Sequence, residues 1–117
     1  MAVKVNDLFV RRVKSVAKSI KDGQIFIEAG QEWIDNDVVP RAQALAPKAT
    51  GNLANSIGGN VNENQIRIYA DADYASFVEH GTSKTAAQPF LTPAVIQTRD
   101  KLTARMRKKL NDRLNKA

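Results

Sequence analysis

Not one of the 117 residues is a cysteine, and only one is a histidine. Disulfides, thiolate nucleophiles and Cys-ligated zinc sites are thereby excluded, and a reducing cytoplasm suits the chain. Aromatic residues are scarce at 6%. Tyr69, Tyr74, Phe77 and Phe90 fall outside the basic ends of the chain and read as core or loop anchors, not as platforms on which bases would stack. Long hydrophobic runs are missing too. No apolar stretch approaches the ~20 residues that span a bilayer. Lys4, Asp7, Arg11 and Arg12 interrupt the N-terminus where a secretory signal would need an apolar run. The expectation is a soluble protein without membrane contact.

What is present supports one packed core, because 43% of the residues are hydrophobic in a chain of single-domain length, 1–117. The net charge of +6 is unevenly spread. Residues 1–21 hold six basic residues and one acid, and residues 99–117 hold eight basic residues and two acids. The stretch between them holds nine acids and four bases. Such a layout suits nucleic-acid binding through the basic ends, and equally suits head-to-tail association of identical subunits.

Hydrophobic periodicity gives the elements. Val5, Leu8, Phe9, Val13, Val16, Ala17 and Ile20 recur at helical spacing, which predicts an amphipathic helix within residues 1–22 that Asp22-Gly23 ends. Phe26, Ala29, Gly30, Trp33, Ile34, Val38, Ala42 and Leu45 predict a second helix over 24–46, with a bend at Pro40 and with Trp33 in the core or at a subunit interface. Period-2 alternation follows. Leu53, Asn55, Ile57, Gly59 and Val61 form one strand, and Ile66, Ile68 and Ala70 mark a second, giving a β-hairpin over 53–70. A short helix capped by Asp73 and a loop occupy 74–91. Thr92-Pro93 then starts a basic C-terminal helix over 92–115, with Thr92 as N-cap and a thin stripe of Val95, Leu102, Met106, Leu110 and Leu114. The predicted class is α+β: long N-terminal helices and a C-terminal helix packed on a small antiparallel sheet built around the hairpin.

Few residues arrange themselves for chemistry. Glu79-His80 has the composition of a general base and its orienting carboxylate, but neighbours on a helical turn point about 100° apart and no nucleophile framework surrounds Ser76, Thr82, Ser83 or Thr85. Asp71 and Asp73 lack the ligand series of a calcium loop, and no glycine pattern cradles a phosphate. No catalytic, metal or cofactor site is expected. Arg105, Lys108, Lys109 and Arg113 make a basic interaction face on the last helix, and a small DNA-binding protein that uses this helix is the alternative reading.

The run from Ala46-Pro47 through Thr50-Gly51-Asn52-Leu53, then Tyr74-Ala75 through Val78-Glu79-His80-Gly81-Thr82, then Pro89-Phe90-Leu91-Thr92-Pro93, resembles the neck and tail-completion proteins of long-tailed double-stranded-DNA phages over about residues 24 to 110. The resemblance implies a non-catalytic virion protein of the neck or tail end. Its subunits, present in the host cytoplasm during assembly and either monomeric or associated in solution, would form a ring of six. The implied partners are the tail tube or terminator protein on one side and a head-completion or connector protein on the other, with DNA passing through the ring without specific binding. Thr50, Gly51, Tyr74, Glu79, Gly81, Thr82, Pro89 and Phe90 are the residues it marks as a structural motif and assembly loop.

Overall fold

A computed structural model describes residues 1–15, 23–47, 51–62 and 65–115. The fold is α+β: helices cover a three-stranded antiparallel sheet, and a long helix closes the chain. Strand β1 (Ala2–Lys4) is followed by helix α1 (Asp7–Ser15). Helices α2 (Gln24–Trp33) and α3 (Val39–Leu45) flank one π-helical stretch, Ile34–Val38. A short helical turn, α4 (Asn52–Asn55), leads into β2 (Ile57–Val61) and β3 (Ile66–Ala70). Helix α5 (Ala75–His80) and the long α6 (Leu91–Asn115) complete the order.

The sheet order is β1-β3-β2. Ile57 pairs with Ala70 and Val61 with Ile66, so the hairpin register puts Ile66, Ile68 and Ala70 on the buried face while Arg67 points outward. The third strand was not foreseen. Residues 2–4 pair with 67–69, and the chain start is fastened further by Met1 and Ala70, whose backbone groups bond each other at 3.0 and 3.2 Å. Helix α1 consequently begins after Val5, where the Asn6 carboxamide oxygen accepts the N–H groups of Leu8 and Phe9 at 2.9 and 3.3 Å as an N-cap. The continuation of this helix expected over 16–22 lies outside the described residues.

Two other expectations differ in detail. The first hairpin strand starts at Ile57, not Leu53: Leu53 is buried from α4, and Ser56 closes that turn by donating its N–H and hydroxyl to Leu53 O. Pro40 sits in the first turn of α3, immediately after the π-helical stretch. Its missing N–H would interrupt an α-helical ladder, and the wider winding at 34–38 lets Val39 N–H reach Ile34 O instead.

Helix α2 buries Ile25, Phe26, Ala29, Gly30 and Trp33, and α6 buries Leu91, Ala94, Val95, Thr98, Leu102 and Met106. Trp33 lies in the core and is wholly excluded from solvent. Its indole N–H donates to Thr98 O at 2.8 Å, tying α2 to α6. The radius of gyration is 15.6 Å, against about 13 Å for a compact chain of this length. The excess reflects α6, whose 25 residues extend about 37 Å. Among the described residues no helix is long and apolar enough to cross a membrane.

Candidate assembly surface

A helix start demands acceptors for its first N–H groups, and α6 obtains them from a distance. Glu79, only 4% exposed at the end of α5, accepts the N–H of Phe90 at 3.0 Å and of Leu91 at 2.9 Å through Oε1, and that of Thr92 at 3.3 Å through Oε2. Burial pushes its carboxyl pKa up, but these three bonds and a fourth from the Thr92 hydroxyl together hold it below the ordinary value. The cap of α6 is therefore Glu79, not Thr92, and the helix starts at Leu91. Asp73 likewise does not cap α5; Tyr74 stands at that position, and no side-chain hydrogen bond caps the helix there.

Between the two helices the loop 81–90 is closed on itself. Gly81 N–H bonds Phe77 O, Thr82 N–H bonds Thr85 O, and Gln88 N–H returns to Val78 O, each at 2.8 Å. The Thr82 hydroxyl oxygen accepts the N–H of Lys84 at 3.2 Å and of Thr85 at 3.0 Å. Gly81 has φ +78°, and a Cβ there would lie 2.7 Å from Ala87 N. Both the backbone angle and the close approach require glycine. Phe90 is fully buried and Pro89 exposed, so Phe90 anchors the far end of the loop. Gly51 has φ +75° at the start of α4, remote from this loop in sequence, and Thr50 lies outside the described residues. Glu79, Gly81, Thr82 and Phe90 thus form one unit; His80 ends α5 exposed.

This unit presents an apolar edge. Tyr74 and Phe77 are 39% and 61% exposed, and with Val78 and Pro47 they line a shallow groove of about 230 Å³ beside the loop. The reading of Phe77 as a core or loop anchor is corrected: α5 has only six residues, it turns Ala75 and Glu79 inward, and Phe77 is left on the outer face. Asp71 and Asp73 are exposed just ahead of this edge.

The basic residues of α6 divide into two sets. Arg105 binds Asp37 through Nε at 2.8 Å and approaches Glu32 at 3.9 Å, while Lys109 meets Glu32 at 3.1 Å and Glu28 at 3.8 Å. The hydrogen bond to Asp37 raises the Arg105 pKa further. These two cations hold α6 to α2 and its π-helical continuation. Of the remaining pair, Lys108 is exposed and Arg113 half-buried. The acidic middle of the chain is thus partly neutralised within the subunit, which weakens the reading of α6 as a DNA-binding helix.

A second surface went unnoticed in the sequence. Between α1 and α6 runs a groove of about 590 Å³ whose lining includes Leu8, Phe9, Arg12, Arg99, Thr103 and Arg107. Leu8 is 57% exposed, and Ile96, in an adjoining hollow, is 55% exposed. The Arg99 guanidinium stands 5.9 Å from the Phe9 ring centre. The signal was the recurrence of Thr92, Ile96, Arg99, Thr103 and Arg107 at steps of three and four, a face of α6 adjacent to the buried stripe.

A family model described as "Bacteriophage HK97-gp10, putative tail-component" matches residues 7–81, well over half of the chain. The chain belongs to this family. The match begins at α1 and ends at Gly81, so the tail-component family takes in the first helix, which the motif resemblance left out, and the Tyr74 to Gly81 segment with its apolar edge. It stops short of the loop and α6. No curated protein and no solved structure matches the chain. As a member of a tail-component family, the protein is a phage virion structural protein.

Proposed function

We propose that this tail component is a tail-completion subunit that assembles into a ring at the phage neck. The ring, six-membered by the motif resemblance, would join the tail tube or its terminator protein to a head-completion or connector protein. The role is mechanical: the subunit supplies shaped surfaces, and DNA passes through the ring without specific binding. The residues from Tyr74 to Phe90 form its assembly loop, with Glu79, Gly81 and Thr82 fixing the shape that the edge presents.

The observation that carries this reading is the exposure of Leu8, Phe77 and Ile96, each more than half accessible, on a subunit whose Trp33, Phe90 and Met106 are completely enclosed. A chain that closes its core so fully while leaving large apolar groups outside is finished for folding but not for its surroundings. Gold-labelled antibody against the chain, applied to purified virions and viewed by electron microscopy, tests the placement. Label at the junction of head and tail is expected. Label distributed along the tail, at its distal tip, or absent from virions would overturn the proposal.

A further inference from the structure

We infer that neighbouring subunits associate head to tail, with the Tyr74 and Phe77 edge of one copy seated in the α1 and α6 groove of the next. This rests on the ring reading and specifies its interface.

The two surfaces match in two respects. Each has an apolar centre: Phe77 at 61% exposure on the edge, and Leu8 at 57% beside Phe9 in the groove, with Ile96 at 55% in the adjoining hollow. An exposed aromatic entering a pocket rimmed by arginine is the composition that concentrates binding energy in protein interfaces. The charges are opposite as well. Asp71 and Asp73 flank the edge, while Arg12, Arg99 and Arg107 line the groove. Asp100 also lines the groove, and Lys84 and His80 lie near the edge, so among the described residues the complementarity is a balance of three cations against one acid on one side and of two acids against one lysine on the other.

These charges are also available. Arg105 and Lys109 spend theirs on Asp37, Glu28 and Glu32 within the subunit, whereas Arg12 and Arg107 have no carboxylate partner among the described residues. Finally, among the described residues none lines both surfaces. A contact between two different patches is heterologous, leaves one free patch at each end of a growing chain, and closes only into a ring or continues as a filament. A polyanion such as duplex DNA fits the arginines but not the apolar residues or Asp100, so a second copy is the better occupant.

The absence of native cysteine gives a clean test. Ser76→Cys marks the edge and Thr103→Cys marks the groove, each a near-isosteric change on the full-length chain. A mixture of the two single variants, treated with a short bismaleimide, should yield only dimers, each joining one variant to the other. The double variant should yield a ladder ending in a closed species. Reversing Asp71 and Asp73 to lysine should lower cross-linking about tenfold, as should reversing Arg12 and Arg107 to glutamate, and the two reversed chains mixed together should regain it. Four outcomes overturn the inference: no cross-link between the single variants, cross-linking of either variant to itself alone, no recovery on mixing the reversed chains, or protection of Thr103→Cys by duplex DNA in place of cross-linking. If virion label at the neck accompanies any of these, the ring reading survives and only the interface is wrong; label absent from the neck removes the ring reading itself.

Discussion

Replacing Glu79 with glutamine removes one charge from the start of α6 while keeping the side chain's length. The carboxylate now accepts three backbone N–H groups at 2.9 to 3.3 Å from a site 4% exposed. In the variant the amide oxygen can keep the place of Oε1 and serve Phe90 and Leu91, but the NH₂ then faces the Thr92 N–H, donor against donor. The loss is one charge-assisted bond, weakening of two others, and a negative charge at the positive end of a helix, together roughly 2–3 kcal/mol. For a chain of this size that corresponds to a fall in melting temperature of roughly 8–12 °C. Acid gives an independent arm. Because the Glu79 pKa is lowered in the folded state, its stabilisation is complete above the unfolded value and disappears as pH drops through the folded one. Urea denaturation followed by circular dichroism should therefore show the wild type losing more stability than Glu79→Gln as the pH falls from neutral through the ordinary glutamate range and below it, the two curves converging at the acid end. A variant within about 0.5 kcal/mol of wild type at neutral pH, or with the same pH slope, would refute the capping argument.

Three further perturbations follow from the same geometry. Either Arg105→Ala or Asp37→Ala should cost about 1–2 kcal/mol, and the double variant less than the sum, since Asp37 is nearly buried and removing one partner strands the other; additive losses in a double-mutant cycle would contradict the pairing. Gly81→Ala should destabilise by about 2 kcal/mol in thermal melts, because alanine meets both a positive φ and the backbone at Ala87, and an unchanged melting temperature would count against the turn. Phe77→Ser should leave stability within about 0.5 kcal/mol, as the ring is mostly exposed, yet fail to complement a phage lacking the wild-type gene; full complementation would remove Phe77 from assembly.

The parts of the fold that were legible were those written in local periodicity. The alternation at Ile66, Ile68 and Ala70 gave β3, and the spacing of Phe26, Ala29, Gly30 and Trp33 gave α2. Long-range pairing left no such trace: Ala2–Lys4 is too short to alternate detectably, and its partner lies more than sixty residues away. Leu53, read as a strand residue because apolar groups two apart suit a strand, turned out to sit on a single helical turn that also buries it. Glu79 was marked as part of the resembled motif, but its three backbone partners begin eleven residues downstream, and only the folded loop selects them. For charge the lesson is similar. Composition showed acidic and basic segments, and packing decided that Arg105 and Lys109 would be consumed inside the subunit while Arg12 and Arg107 would not. Phe77 was misplaced because an aromatic residue beside a loop motif is usually an anchor, and the brevity of α5 gave it no face to bury.

If this subunit completes the phage tail, as proposed, its loss must leave heads and tails unjoined. The most direct measurement is electron microscopy of lysates from a phage whose copy of the gene has been deleted, with and without the wild-type protein supplied in trans. Separate heads and tails are expected without the protein, and joined, infectious particles with it. Normal virions in the deletion lysate would contradict the proposal.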